Sequence, residues 1–395
     1  MKRKAIALLL VATFLLGCNP SKKIGEQESD VCSTTPVKEV SVEDLENVLQ
    51  KIKHVASVNY IGEDRVLILA EQMYLVDVSS GRLLAKNKMD ESFQGKVKIY
   101  RDGENGFAIL SIKDKKSSKK KEETFSMTMG DCSYVAVCFY DKNLHCTKEI
   151  NVNKVWGINT MSVDTVAMDH KKNLAIYDED TNSLYYCNSA TKKKKRILKG
   201  KGNRLVFRKE LEFSISNDLE FTEDDKKLVF GASCIALSSG GDSTDGYGSV
   251  DVNGKHLFVE KIGQEYSVMG YKGEKAVLSQ SCGFTEPTGE IYVYDTTNNN
   301  RRGMKLVMNE ESDNVFLSNQ GKRIVTFCEE EENGWKIRFY NSQNGKLIQT
   351  KSYGKLNTEK YVDPKILVFE KLNIAILFVR TTEEDCEDVL DVLYL

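Results

Sequence analysis

Seven times between residue 57 and the last residues, a short apolar strand meets a tight polar turn and a second, strongly apolar strand follows. The second strands read Val66-Leu67-Ile68-Leu69, Phe107-Ala108-Ile109-Leu110, Leu174-Ala175-Ile176-Tyr177, Leu228-Val229-Phe230, Ala276-Val277-Leu278, Ile324-Val325-Thr326-Phe327 and Ala375-Ile376-Leu377-Phe378. The turns before them are polar, as in Gly62-Glu63-Asp64-Arg65, Asp102-Gly103-Glu104-Asn105 and Asn319-Gln320-Gly321-Lys322. Successive second strands start 41, 67, 54, 48, 48 and 51 residues apart. Such spacing is the signature of a repeat array.

After each second strand comes a loop of variable length, then a third strand ending in Asp or Asn: Tyr74-Leu75-Val76-Asp77, Phe139-Tyr140-Asp141, Tyr185-Tyr186-Cys187-Asn188, Val250-Asp251, Tyr292-Val293-Tyr294-Asp295 and Arg338-Phe339-Tyr340-Asn341. Asp and Asn close Asx-turns and tolerate the left-handed conformation, so each end predicts a hairpin into a fourth strand. Four antiparallel strands per unit and seven units predict an all-β chain, a β-propeller of seven four-stranded blades, with six or eight as alternatives. The aromatic-Asp-x-x-x-Gly-Lys hairpin resembles the quinoprotein-type and WD-repeat-like propellers of bacterial envelope proteins, over residues 57–395. Trp-Asp dipeptides are missing at the blade ends, and only Trp156 and Trp335 occur, so the tryptophan-docking pattern of the quinoprotein group is missing too. The resemblance therefore implies a fold and leaves activity open.

The seventh unit stops after a third strand, Val389-Leu390-Asp391-Val392-Leu393-Tyr394. A ring must close or leave an exposed edge. Val37-Lys38-Glu39-Val40-Ser41-Val42 alternates apolar and polar residues and is expected either to supply the missing outer strand or to be plain tether. Residues 41–53 read as a short helix with Ser41 as N-cap and Leu45, Val48, Leu49 and Ile52 at helical spacing, lying against a face or edge of the ring.

The front of the chain carries a different message. Lys2-Arg3-Lys4 precedes an apolar stretch of 12 residues, Ala5 to Leu16, too short to span a bilayer. Leu15-Leu16-Gly17-Cys18 resembles the lipobox of bacterial lipoproteins, which implies cleavage before Cys18 and diacylglycerol on its sulfur. Asn19 at the next position implies, by resemblance to sorting in bacteria with two membranes, the outer membrane rather than the inner. The expected organisation is a signal peptide at 1–17, a tether at 18–40, the helix within 41–56 and the propeller from 57. Losing residues 1–17 takes the formal charge from −2 to −5. That acidic balance, together with export, argues against a nucleic-acid partner.

Candidate chemistry is sparse. Nine cysteines lie beyond Cys18. Cys234, Cys282 and Cys328 end second strands and read as small buried hydrophobes. Cys132, Cys138, His145 and Cys146 fall on one hairpin. If its loop is residues 141–143, Cys138 and Cys146 oppose each other and could form a disulfide, which export permits. Buried thiols and a zinc site are the other readings, although the spacing matches no standard finger. His170 and His256 sit in or beside turns without a nucleophile pattern, and no nucleophile elbow, phosphate loop or zinc-protease helix is present. Nothing calls for a cofactor. Asp242 and Asp245 are weak calcium-ligand candidates in what reads as a polar loop.

Charge is more informative. All loops between second and third strands should emerge on one face. There blade two offers Lys115, Lys116, Lys119, Lys120 and Lys121, blade six Glu329, Glu330, Glu331 and Glu332, and blade seven Glu383, Glu384 and Asp385. Such a polarised face can steer a charged partner or simply keep the protein soluble. Lys192 to Arg196 adds a basic run expected on an outer strand, where it would guard the edge. Three readings follow: a membrane-held binding propeller for a protein or glycan; an enzyme such as a lyase, hydrolase or dehydrogenase using channel residues such as Asn59, Asp164 and Asp363; and a sensor lipoprotein. The lipobox resemblance has a direct test. Intact mass should give a mature chain beginning at a diacylglyceryl Cys18, and Cys18→Ala should leave the chain unprocessed and without that lipid.

Overall fold

Each second strand is apolar on both faces because both faces are buried. In the first unit Val66 and Ile68 pack one way while Leu67 and Leu69 pack the other, all four without solvent exposure. A strand in a sheet stacked between two other sheets has no solvent face, so the period-two alternation of a surface strand disappears. The computed structural model describes residues 42–395 except 63, 91–95, 103–105, 115–132, 202–203, 237–242, 263–265, 273–274, 281–289, 296–303, 308–313, 331–333, 355–360 and 382–387.

Among the described residues there are seven antiparallel sheets, formed consecutively along the chain. They are the blades: one at residues 57–88, two at 98–151, three at 166–198, four at 205–261, five at 266–307, six at 314–353 and seven at 361–394. Five have four strands in simple meander order. Blade four has a fifth, the short Leu205–Phe207, hairpinned onto its neighbour Leu211–Phe221. Blade seven has three described strands. All seven apolar runs of the sequence lie in interior strands, from Arg65–Leu69 to Ile374–Thr381. The turn chemistry is also as expected: Asp77, Asp141, Asn188 and Asn341 each accept a backbone N–H two or three residues on, at 2.8 to 2.9 Å in every case.

Seven apolar clusters join the blades in cyclic order. Phe107 and Ile109 of blade two meet Leu67 and Leu69 of blade one. Leu110 and Val137 of blade two meet Ile176 of blade three. The series continues between blades three and four, four and five, five and six, and six and seven. The seventh cluster joins Ile376 and Phe378 of blade seven to Val66 and Ile68 of blade one, so the ring closes on itself. The first strands lie innermost. Lys98 in the first strand of blade two reaches the Leu219 carbonyl of blade four across blade three, and Gln320 of blade six reaches Tyr60 of blade one across blade seven. Contacts that skip a blade are available only near the axis. Fourth strands such as Arg82–Lys88 and Cys146–Asn151 are largely exposed and face outward.

Helix α1, Val42–Leu49, is shorter than the span read from the sequence. Its Leu45 and Leu49 are buried in the closing seam beside Leu390 and Val392, the outermost described strand of blade seven. Arg380 of that blade also donates to the Ala56 carbonyl at 2.9 Å. The closing strand expected at residues 37–42 lies outside the described residues apart from Val42, which opens α1. Leu49, 1% exposed, should lose about 2–5 kcal/mol of stability on change to Ala. Leu347→Ala on the outer strand of blade six, where the side chain is 54% exposed, should move urea unfolding by under about 0.5 kcal/mol.

Candidate functional site

The polar residues that the fold gathers at the inner rim come from three consecutive blades. Blade four supplies them through an irregular first strand. Its pairing with Lys227–Ala236 shifts register between Ile215 and Asn217 and again between Asn217 and Glu220. Such bulges bend a strand and re-aim its side chains. Asp218 within the bulge is left-handed, with φ 47°. Gly231 opposite has no side chain, and a Cβ there would lie 1.7 Å from the Asn217 Oδ1, so a larger residue would displace the Asn217 side chain.

Lys98 is the centre of the cluster. Its side chain is 10% exposed. Its Nζ donates to the Val166 carbonyl at 3.0 Å and the Leu219 carbonyl at 2.6 Å and pairs with Glu220 at 3.0 Å. Tyr100 Oη donates to the same Glu220 carboxylate at 3.2 Å. Burial and the nearby Glu220 charge push the Tyr100 phenol well up, so it stays a neutral donor. Lys96 pairs with Asp164 at 2.8 Å, in the 3-10 turn Val163–Thr165 that leads into blade three. The second oxygen, Asp164 Oδ1, is buried with no partner. Asp218 faces Lys98, Lys96, Asp164 and Glu220; burial raises its carboxyl above the usual range and outweighs the two lysines.

A cleft of about 900 Å³ opens between blades two and three on the face where second-to-third-strand loops emerge. Its lining includes Tyr134, Asn151, Lys154, Asn159, Asp178 and Asp180. Helix α2, Val152–Trp156, forms part of its floor, capped by Asn151 at one end and by left-handed Gly157 at the other. Asn159 Nδ2 donates to Asp180 Oδ1 at 3.0 Å. A second cleft, about 560 Å³, lies at the opposite end of blade four beside Asp225, Asp251 and His256.

The residues singled out from the sequence fare unequally. Asp164 is in the rim cluster. Asn59 donates to Ser57 Oγ at 2.9 Å in the first strand of blade one and lies outside that cluster. The Asp363 backbone is in a first strand, Tyr361–Phe369. Cys18, Lys115, Lys116, Lys119, Lys120, Lys121, Glu331, Glu332, Glu383, Glu384, Asp385 and Asp242 lie outside the described residues. Glu329 and Glu330 end a strand, Arg323–Glu330, rather than lying in a loop. Asp245 is likewise on a strand, paired with Ser233, rather than in a loop. Among the described residues no group of three His, Cys, Asp or Glu could hold a metal.

The proposed opposition of Cys138 and Cys146 is corrected by the register. Cys146 faces Tyr140 and Cys138 faces Glu149, because the loop is longer than three residues and a bulge follows at Phe139/Tyr140. Both thiols are free, Cys138 buried and Cys146 exposed, and burial pushes the Cys138 thiol up to about 12. Cys234 and Cys328 are buried as the strand pattern implied. Two pairings escaped the sequence reading. His170 Nδ1 lies 2.9 Å from Asp225 of the next blade, and His256 Nδ1 lies 2.7 Å from Asp251. No sequence signal pairs residues 55 positions apart across a seam.

No family model matches the chain, and no curated protein matches it. Among solved structures it is similar to TolB from Acinetobacter baumannii, at 14% identity over 84% of this chain and 78% of that one, with a TM-score of 0.34. A eukaryotic initiation factor aligns at 9% identity over 87% and 86% of the two chains, with a TM-score of 0.44. A prolyl endopeptidase aligns at 11% identity with a TM-score of 0.44, and the chain spans 47% of its length. The propeller is established by the seven sheets and their seams. Among the described residues no helix is long and apolar enough to cross a membrane.

Asp218 gives a signed pH prediction. Its folded carboxyl titrates above the unfolded one, so its contribution to stability is full at acid pH and is lost as pH rises through the folded value. Asp218→Asn should therefore raise the melting temperature at pH 7, with the gain fading below the ordinary carboxylate range. Asn also tolerates the left-handed backbone, so strain will not mask the effect.

Proposed function

We propose that the ring is a binding module, held at a bacterial envelope membrane by lipid on Cys18, that receives a protein or glycan on the face carrying the second-to-third-strand loops. The observation that carries this reading is the 900 Å³ cleft on that face. Its lining alternates donors and acceptors: Asn amides, the Tyr134 hydroxyl, the Lys154 ammonium and the Asp178 and Asp180 carboxylates. A hydroxyl-rich chain or a peptide backbone offers the matching groups.

An enzyme with its site at the axis, a lyase, hydrolase or dehydrogenase, is the second reading. It draws on the unpartnered Asp164 oxygen and the raised Asp218 carboxyl. Against it, Lys98, Glu220 and Tyr100 are engaged with one another and with backbone carbonyls, which ties blades together rather than leaving groups free to react.

The two readings separate in one comparison. The full-length protein is used for capture from its native envelope and for turnover of envelope polymers, alongside Asp180→Ala/Lys154→Ala and Asp218→Asn. Binding without turnover, weakened at least about tenfold by the cleft pair and unchanged by Asp218→Asn, is expected. Turnover abolished by Asp218→Asn would overturn the binding reading.

A further inference from the structure

Among the described residues six large apolar side chains are exposed, and five of them gather in one place. Leu83 and Leu84 open the fourth strand of blade one, and Leu347 and Ile348 open the fourth strand of blade six. Tyr394 ends the third strand of blade seven, opposite Ile374. Each is between 43% and 54% exposed. In a meander the ends of third strands and the starts of fourth strands lie on one face, opposite the second-to-third-strand loops. Blade seven packs between blades six and one. The five side chains therefore share one rim of one face over three adjoining blades. Single exposed apolar residues need no explanation, whereas a gathered set marks a surface that meets a partner.

Two further observations identify that partner. The first is charge. Both apolar pairs follow a glycine and an exposed cation, as Gly81-Arg82-Leu83-Leu84 and Gly345-Lys346-Leu347-Ile348. Lys86, Lys88 and Lys351 lie further along the same two strands, and neither strand holds an acid. Nearby acids are engaged: Asp77 accepts from Ser79 and Ser80, Glu370 pairs with Arg323, and Asp391 accepts from Tyr353. Helix α1 carries Glu43, Asp44 and Glu46 against the five cations of the outer strands. The second observation is where the chain enters the ring. Helix α1 packs against the third strand of blade seven and the fourth strand of blade one. Its Glu46 lies against Tyr394, at the rim. From its C-terminal end the chain runs to Ala56, which accepts from Arg380 near the opposite face. The chain preceding α1 therefore arrives at this rim. Residues 18–41, at most about 3.5 Å each, keep a lipid on Cys18 within about 80 Å of it.

We propose that this rim rests on an anionic lipid surface, with Leu83, Leu84, Leu347, Ile348 and Tyr394 in the interface and Arg82 and Lys346 on the headgroups. Exposed apolar area combined with basic residues is how a protein surface holds a bilayer without spanning it. Tyrosine suits the boundary because its ring is apolar and its hydroxyl polar. A contact too weak to act alone becomes effective when a tether keeps it near the membrane. The inference rests on the reading that lipid on Cys18 holds the chain, and it adds an orientation. The 900 Å³ cleft opens on the opposite face, so docking by this rim leaves the cleft free for its partner.

The test places the full mature chain on phosphatidylcholine vesicles, with and without phosphatidylglycerol, that contain a lipid with a photoreactive acyl chain. Cross-links are mapped by mass spectrometry. They are expected at residues 82–84, 347–348 and 394, with higher yield when phosphatidylglycerol is present. Leu84→Gln/Leu347→Gln should cut that yield at least about tenfold while the lipid on Cys18 still holds the protein on the vesicles. Arg82→Gln/Lys346→Gln should remove at least about fivefold of the preference for phosphatidylglycerol. All four positions are exposed on outer strands, so folding is preserved. Intact mass shows separately whether Cys18 carries lipid. A chain without lipid defeats the anchoring reading alone; flotation with phosphatidylglycerol vesicles, lost in the leucine pair, then supports the rim, and no flotation overturns it. Cross-links that are absent, spread evenly round the ring or centred on the cleft face overturn the proposal. So do yields that ignore the leucine pair or phosphatidylglycerol, and rim-to-rim association of two copies in sedimentation.

Discussion

Everything in this molecule depends on each sheet being sandwiched between two others. Val66 and Ile68 face blade seven while Leu67 and Leu69 face blade two, and the same division recurs around the ring. An aliphatic side chain buried in this way contributes roughly 1.5–3 kcal/mol. The favourable term is available on both faces only if the ring closes. A gap between blades seven and one would return Val66, Ile68, Ile376 and Phe378 to water. Helix α1 adds Leu45 and Leu49 to that one seam, where the chain's two covalently unlinked ends of the ring must meet.

Apolar packing is non-directional, and polar contacts fix how neighbouring blades register. Asn87 donates to the Leu144 carbonyl between blades one and two, and Lys98 to Val166 between two and three. His170 meets Asp225 between three and four, Lys275 meets Ser342 between five and six, and Arg323 meets Glu370 between six and seven. Arg380 to Ala56 does the same at closure. Most of these contacts use a long side chain to reach a group on the neighbouring sheet, because inter-sheet distances of about 10 Å exceed the reach of backbone groups. The same constraint produces the inner-rim cluster. Where blades converge, side chains from three of them occupy one small volume, and charge has to be balanced within it.

The seams are not equivalent. Seam four–five is built on aromatic packing, with the Tyr247 and Tyr294 rings 5.1 Å apart. Seam two–three carries the helix α2 insertion, the larger cleft at one end and the lysine-covered aromatic rings on its outer side. The insertion follows from local sequence. Asn151 caps the helix and Gly157 ends it in the left-handed conformation, which detains the chain beside the seam before blade three begins.

What the amino-acid order determined by itself was local and repetitive. Seven apolar strands and four of the Asx-closed hairpins, at Asp77, Asp141, Asn188 and Asn341, were legible, because burial on both faces and turn chemistry are written in adjacent residues. Of the basic run at Lys192 to Arg196, the last three residues lie on the outer strand Lys194–Leu198, while Lys192 and Lys193 belong to the turn before it. Only the tertiary structure decided which residues meet across seams. The pairing of Lys98 with Leu219 and Glu220, of His170 with Asp225, and of Lys192 with Trp156 joins positions far apart in sequence, and no periodicity encodes it. Registers were decided there as well. A loop of five residues placed Cys146 opposite Tyr140, and the bulge between Phe139 and Tyr140 then moved the partner of Cys138 on to Glu149.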